Sequence, residues 1–187
     1  IIESIFICAM GKSFRTKKDN ELIRFGEENA TIEVEFEKGN LEKKININFN
    51  NSENKNIKLN GIKINKLSEL IGNLNIVIFS PDDITVLKDG PQKRRKFLNM
   101  MISQLKPGYV HYFNLYQKTL EQRNNFLKQI KYNNQSEEML DIWDESLCNY
   151  AEKIFTYRKE YVDKINDKIV DIFKIINEKK EKIKIEY

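Results

Sequence analysis

Between Met139 and Ile176 the apolar residues keep to one spacing. Met139, Trp143, Leu147, Tyr150, Ile154, Tyr161, Ile165, Ile169, Ile172 and Ile176 follow each other at steps of three, four or seven, and the positions opposite are charged. A helix turning at roughly 3.6 residues puts such positions on a single stripe. An earlier run does the same: Tyr109, Tyr112, Phe113, Tyr116, Leu120, Leu127 and Ile130 follow the break at Lys106-Pro107-Gly108. Tyr132-Asn133-Asn134-Gln135 reads as a polar turn between the two stripes. Ser136 caps the second helix, with Glu137 and Glu138 in its first turn. The spacing predicts one long helix folded back on another as an antiparallel hairpin. Aromatic residues at this interval read as core rather than as a base-stacking surface.

Upstream, the period changes from helical to two. Ile32, Val34 and Phe36 alternate with Glu33, Glu35 and Glu37, and Ile45, Ile47 and Phe49 alternate with Asn46 and Asn48. Lys38-Gly39-Asn40 supplies the turn between them. A second hairpin is signalled by Asn60-Gly61, flanked by Ile57-Lys58-Leu59 and Ile62-Lys63-Ile64. These are half-exposed antiparallel strands, with one face in a core and the other in water. Ahead of them, Ile1, Ile2, Ile5, Phe6 and Met10 recur at helical spacing, and Gly11 ends that helix. Ser68 is positioned to cap a brief helix over 69–71, which Gly72 closes.

Residues 76–99, IVIFSPDDITVLKDGPQKRRKFLN, join the two halves. The apolar run Ile76, Val77, Ile78, Phe79 predicts a strand covered on both faces. Ser80 then serves as an N-cap, Pro81 as first helical residue, and Asp82 and Asp83 complement the positive helix end. Gly90 ends that helix and Pro91 opens the next. There the pattern breaks a local rule: Lys93, Arg94, Arg95 and Lys96 load four cations onto a helix N-terminus that is already positive. Each is unfavourable by on the order of 0.3–1 kcal/mol unless an anion is near. One reading is a solvated face beside Asp82, Asp83 and Asp89, and the other is a phosphate-contacting patch.

Several function classes are excluded by composition. The single histidine, His111, leaves no zinc cluster and no Ser-His-Asp triad. Cys8 and Cys148 have no metal spacing and read as two buried free thiols in a reducing cytosol. No apolar run approaches the roughly 20 residues that cross a bilayer, and a cytoplasmic location is expected. A net charge of +4, from 32 basic and 28 acidic residues, is too weak to argue for nucleic acid without local clustering. Gly11-Lys12-Ser13 mimics the end of a phosphate loop. However, the position of that loop's first glycine is Phe6, and a helix precedes rather than follows it.

The run FSPDDITVLKDGPQKRRKFLN resembles, in order and spacing, the F-S-P-E-D-L, G-P and R-R-x-F-L-D signature of the RecF family of bacterial recombination-mediator ATPases. GKSFRTKKDNELIRFG is similar to that family's G-R-S-x-R-T and E-L-I-R-F-G blocks, and LDIWDESLCNYAEKIFTYR to its L-D-x-W-D block. Tyr150 departs from the pattern, standing near a position where members often carry a small residue. The alternating end, Lys182-Ile183-Lys184-Ile185-Glu186-Tyr187, resembles the family's next strand, cut short.

The resemblance implies an α+β fold: the antiparallel sheet portion of an ABC-type ATPase lobe over 1–106, then a helical hairpin lobe over 107–187. It implies a longer parent protein that binds ATP and Mg2+, forms an ATP-dependent homodimer, binds duplex or gapped DNA without sequence reading, and works with recombination-mediator partner proteins. That parent acts in recombinational repair, replication restart and the SOS response by helping load recombinase at gaps. This chain reads as an internal piece without the phosphate loop, signature and magnesium-carboxylate motifs, so it is expected to be inactive alone, with no catalytic or metal residue and no tightly bound nucleotide. Arg15 is the nucleotide-proximal candidate, with Ser80 and Asp83 next by position. In related ATPases a glutamine follows the comparable strand, and none stands here. The DNA candidates are Lys93, Arg94, Arg95 and Lys96, then Lys12, Lys17 and Lys18. An ion pair of Arg15 with Asp19 or Glu21 is the plainer alternative for that residue. A non-enzymatic helical interaction module without DNA contacts is the alternative for the chain.

Overall fold

The computed structural model describes residues 1–51, 55–79, 81–133, 140–177 and 182–187. It divides into two compact units, one of residues 1–90 with 103–107, the other of residues 91–102 with 108–187.

The first unit is built on a four-stranded antiparallel sheet in sequential order: β1 (Asn29–Lys38), β2 (Leu41–Asn50), β3 (Asn56–Leu59) and β4 (Ile62–Ile64). Its register aligns the inward rows suggested by the alternation. Ile32 pairs with Ile47, Ile47 with Ile57 and Ile57 with Ile64, so one apolar row crosses all four strands. Positive φ at Gly39 and Asn40, and again at Asn60 and Gly61, gives both hairpins tight turns of the hand that matches strand twist. Helix α1 (Ile2–Met10) and α2 (Leu67–Leu70) supply Ile7, Cys8 and Leu70 to the core formed by Ile45, Ile47, Phe49 and Ile57. The outer face is a polar ladder. Lys44 reaches Glu33 (2.7 Å) and Glu35 (2.9 Å), Asn46 donates to Glu33, and Asn48 to Thr31.

Two local expectations change in this unit. Residues 76–79 form no strand, and Val77 and Phe79 are 88% and 82% exposed. A strand needs a ladder partner for its backbone, and no described segment pairs with this one. The Ile76 N–H donates instead to the side-chain Oε1 of buried Gln104 (2.8 Å). Lys66, not Ser68, occupies the N-cap of α2, with no side-chain cap bond, because that helix begins at Leu67. Ser80 and the proposed cap residues Ser136, Glu137 and Glu138 lie outside the described residues; Pro81 does open a short 3-10 turn (Pro81–Ile84), which continues into α3 (Thr85–Lys88).

The second unit holds the first twelve residues of α4 (Pro91–Leu105), with α5 (Pro107–Asn133) and α6 (Leu140–Ile176). Pairings show that α5 and α6 run antiparallel: Tyr109 meets Tyr157, Arg123 meets Asp144, and Phe126 meets Trp143, so positions rise along one helix as they fall along the other. Ile102, Tyr109 and Ile154 form the core, with Leu98, Tyr112, Phe113 and Tyr116 against it. Towards the turn the buried face of α5 shifts by one position. Phe126 is buried and Leu127 is exposed, since an aromatic ring there reaches Trp143 at 4.7 Å between centroids. Cys148 is exposed, against expectation, while Cys8 is fully buried.

Candidate nucleic-acid interface

Helix α4 is amphipathic only in its later turns. Leu98 and Ile102, four residues apart, face the core of the helical unit, whereas residues 91–97 are all exposed. The cations Lys93, Arg94, Arg95 and Lys96 therefore occupy a turn that precedes the helix's anchored stripe. The first turn itself contains no acidic residue. Pro91, at the first helical position, fixes the start of the helix and hence where those cations project. A protruding positive helix start is a geometry that phosphate oxygens complement, through both side chains and the helix end.

The second basic cluster sits on the loop after α1, in the other unit. Ser13 organises it: its Oγ donates to Glu3 Oε1 (2.5 Å) and accepts the backbone N–H groups of Arg15 (2.9 Å) and Thr16 (3.2 Å). Thr16 Oγ1 accepts the Lys18 N–H (3.1 Å) and donates to Glu21. This chain of short-range bonds holds the loop while Lys12, Arg15, Lys17 and Lys18 stay exposed. Arg15 is 72% exposed and pairs with Glu3 at 3.3 Å. Asp19 and Glu21, the partners suggested by sequence proximity, engage Lys55 (2.8 Å) and Lys18 (3.8 Å) instead.

Arg15 is already turned to a carboxylate, Asp83 sits half-buried in the 3-10 turn, and Ser80 lies outside the described residues. Among the described residues no three His, Cys, Asp or Glu side chains converge as a metal site, and no helix is long and apolar enough to cross a membrane.

A polar node in the helical unit escaped the sequence reading. Arg158 directs Nε to Tyr109 Oη (3.0 Å), Nη1 to Tyr187 Oη (2.6 Å) and Nη2 to Asn99 Oδ1 (2.7 Å). Tyr109 donates to the same Asn99 oxygen (2.5 Å). Burial raises the Tyr109 hydroxyl above its ordinary range, against the opposing pull of Arg158. Burial also works against the Arg158 charge, but the Tyr187 and Tyr109 hydroxyls more than offset it. One signal was available: the apolar steps of α6 jump by seven from Ile154 to Tyr161, and Arg158 stands in the gap at a position the stripe reserves for an apolar residue.

These features define a class first: an α+β chain that carries the antiparallel sheet portion of an ABC-type ATPase lobe, followed by a long helical hairpin. No family model matches the chain. Over 189 residues it is 44% identical to the DNA replication and repair protein RecF of Clostridium beijerinckii, covering all of this chain and 50% of that protein. It is 40% identical to RecF of Lachnospira eligens, again over its full length and 52% of the relative. A solved structure of the recombination mediator protein RecF with ATP, in the RecFOR pathway, superposes with a TM-score of 0.89 at 36% identity, over 95% of this chain and 48% of that one. The chain belongs to the RecF family of DNA replication and repair proteins, and it spans about half the length of the curated relatives it matches.

Proposed function

We propose that this chain is the part of a RecF-type protein that carries phosphate contacts to DNA, within a parent that binds ATP and Mg2+, dimerises with ATP and helps load recombinase at gaps during repair and replication restart. The observation that carries this reading is the exposed start of α4, where Lys93, Arg94, Arg95 and Lys96 gather in the first two turns. Four cations at a helix start suit phosphate and carry no base readout, so the binding is sequence-independent. Lys12, Lys17 and Lys18 form a secondary contact, and Arg15 meets nucleotide phosphate once Glu3 is displaced. Residues 1–106 belong to the ATPase lobe and 107–187 to the helical one.

A second reading is supported by the distal part of α6, where Ile172, Ile175 and Ile176 are 54%, 85% and 75% exposed. On that reading the hairpin is a protein-recruiting module, and the basic turn is ordinary solvated surface.

Duplex binding measured across a salt series separates the two. Charge reversal at Arg94 and Arg95 should abolish binding while the melting curve stays normal, and each lost phosphate contact should lower the salt slope by about one. Unchanged binding by the charge-reversed chain refutes the basic start of α4 as the contact, and no salt-dependent binding by the unmodified chain leaves the recruiting module.

A further inference from the structure

Leu98 and Ile102 hold α4 against the core of the helical unit, and every residue of the helix before Leu98 is exposed. Apolar contacts keep a helix close but have no direction, so they tolerate roll about its axis. A hydrogen bond weakens steeply when its angle is lost. Asn99 brings that constraint to α4. Its Oδ1 accepts from Arg158 Nη2 on α6 (2.7 Å) and from the Tyr109 hydroxyl on α5 (2.5 Å). Arg158 Nε closes the ring by donating to Tyr109 Oη (3.0 Å). Three helices therefore meet in one cycle of directional bonds, and Tyr109 within it is fully buried. The Arg158 bond to Tyr187 lies outside the cycle.

What the cycle fixes lies one turn away. Arg95 and Lys96 stand four and three residues before Asn99, on the same side of α4. A roll of α4 by one residue position, about 100°, would carry both to another side. We propose that Arg158 is a positioning residue, which by holding Asn99 sets the roll of α4 and so the direction in which Lys93, Arg94, Arg95 and Lys96 project. A guanidinium suits the task because its rigid, planar fork holds acceptors on two helices at once, whereas a lysine ammonium is a point charge on a flexible stem. A consequence for binding rests on the DNA reading above: the roll decides how many of the four cations reach phosphate together.

Distances between two spin labels on the 187-residue chain read the roll directly. One label goes on exposed Cys148 and the other on Gln92→Cys, an exposed position of α4 outside the cation cluster. Cys8 is fully buried and stays unlabelled. With the node intact, a single narrow distance is expected. Arg158→Lys keeps the charge and loses the fork, so it should broaden or shift that distance, and Asn99→Leu should do the same. Asn99→Asp keeps the acceptor and should keep the narrow distance. Arg123→Ala loosens the hairpin elsewhere and should also leave it narrow. An unchanged distance in both Arg158→Lys and Asn99→Leu overturns the proposal, and so does equal broadening in Arg123→Ala. Duplex binding across the salt series then separates this proposal from the reading it draws on. Arg158→Lys should bind several-fold more weakly than the unmodified chain, although net charge is the same. A changed distance with no salt-dependent binding by the unmodified chain refutes the DNA reading and upholds the positioning role. A changed distance with undiminished binding upholds the role of Arg158 and refutes its consequence for phosphate contact.

Discussion

Arg123 on α5 and Asp144 on α6 form a two-point pair: Nε meets Oδ1, and Nη2 meets Oδ2 at 3.1 Å. The contact clamps the two helices one residue from the Trp143 ring, which packs at a tilt against Phe126. A fork-on-fork pair fixes the relative rotation of two helices more sharply than apolar contact does.

The hydrogen bond from Arg123, aided by its charge, holds the Asp144 carboxyl below its ordinary value of 3.8. A depressed folded-state value means that the unfolded chain binds protons more readily. The pair's contribution is therefore complete above that ordinary value and is lost as pH falls through the lower folded value. Asp144→Asn should lower the melting temperature at neutral pH, and the gap from the unmodified chain should close progressively below about pH 4. Thermal melts of both chains from pH 7 to pH 2 check this. The effect should be small, because the pair is solvent-accessible and screened.

The two thiols should react at very different rates. Cys148 is exposed on α6, whereas Cys8 is fully buried under the sheet and burial pushes its thiol up to about 11. A thiol reagent at pH 8 should label one site per chain quickly and the second only in denaturant. Mass mapping should place the fast label on Cys148.

Gly11 ends α1 in the left-handed region, at φ 69, and donates its N–H to the Ile7 carbonyl (2.7 Å). A Cβ there would lie 2.4 Å from Leu67 Cδ2. Gly11→Ala combines backbone strain with a clash against α2, and it should destabilise the first unit by roughly 1–3 kcal/mol. Denaturant unfolding monitored by far-ultraviolet circular dichroism measures the difference.

Tyr109→Phe keeps the buried ring and removes the hydroxyl that serves Asn99 and Arg158. Both partners keep a bond to each other, so the expected loss is about 1–2 kcal/mol rather than the larger cost of truncating the ring. An unchanged unfolding midpoint would mean that water replaces the hydroxyl without cost.

Much of this fold was set by local pattern. The alternation in 30–49 fixed which side chains of β1 and β2 face the core, because a one-residue slip would turn Ile45, Ile47 and Phe49 into water. Asn60-Gly61 and Gly39-Asn40 fixed the hairpin turns, since few other residues accept positive φ there. The helical stripes fixed α5 and α6, and the quoted family blocks fixed the kinship. What only the tertiary structure decided was the choice of partner. Arg15 took Glu3 rather than the nearer acids, because the Ser13 turn swings the loop back over α1. Residues 76–79 carry the composition of a buried strand yet form none, because a strand is a property of its neighbours as much as of its own residues. Arg158 reads locally as a flaw in an apolar stripe, and only the approach of α4, α5 and residues 182–187 makes it a shared anchor.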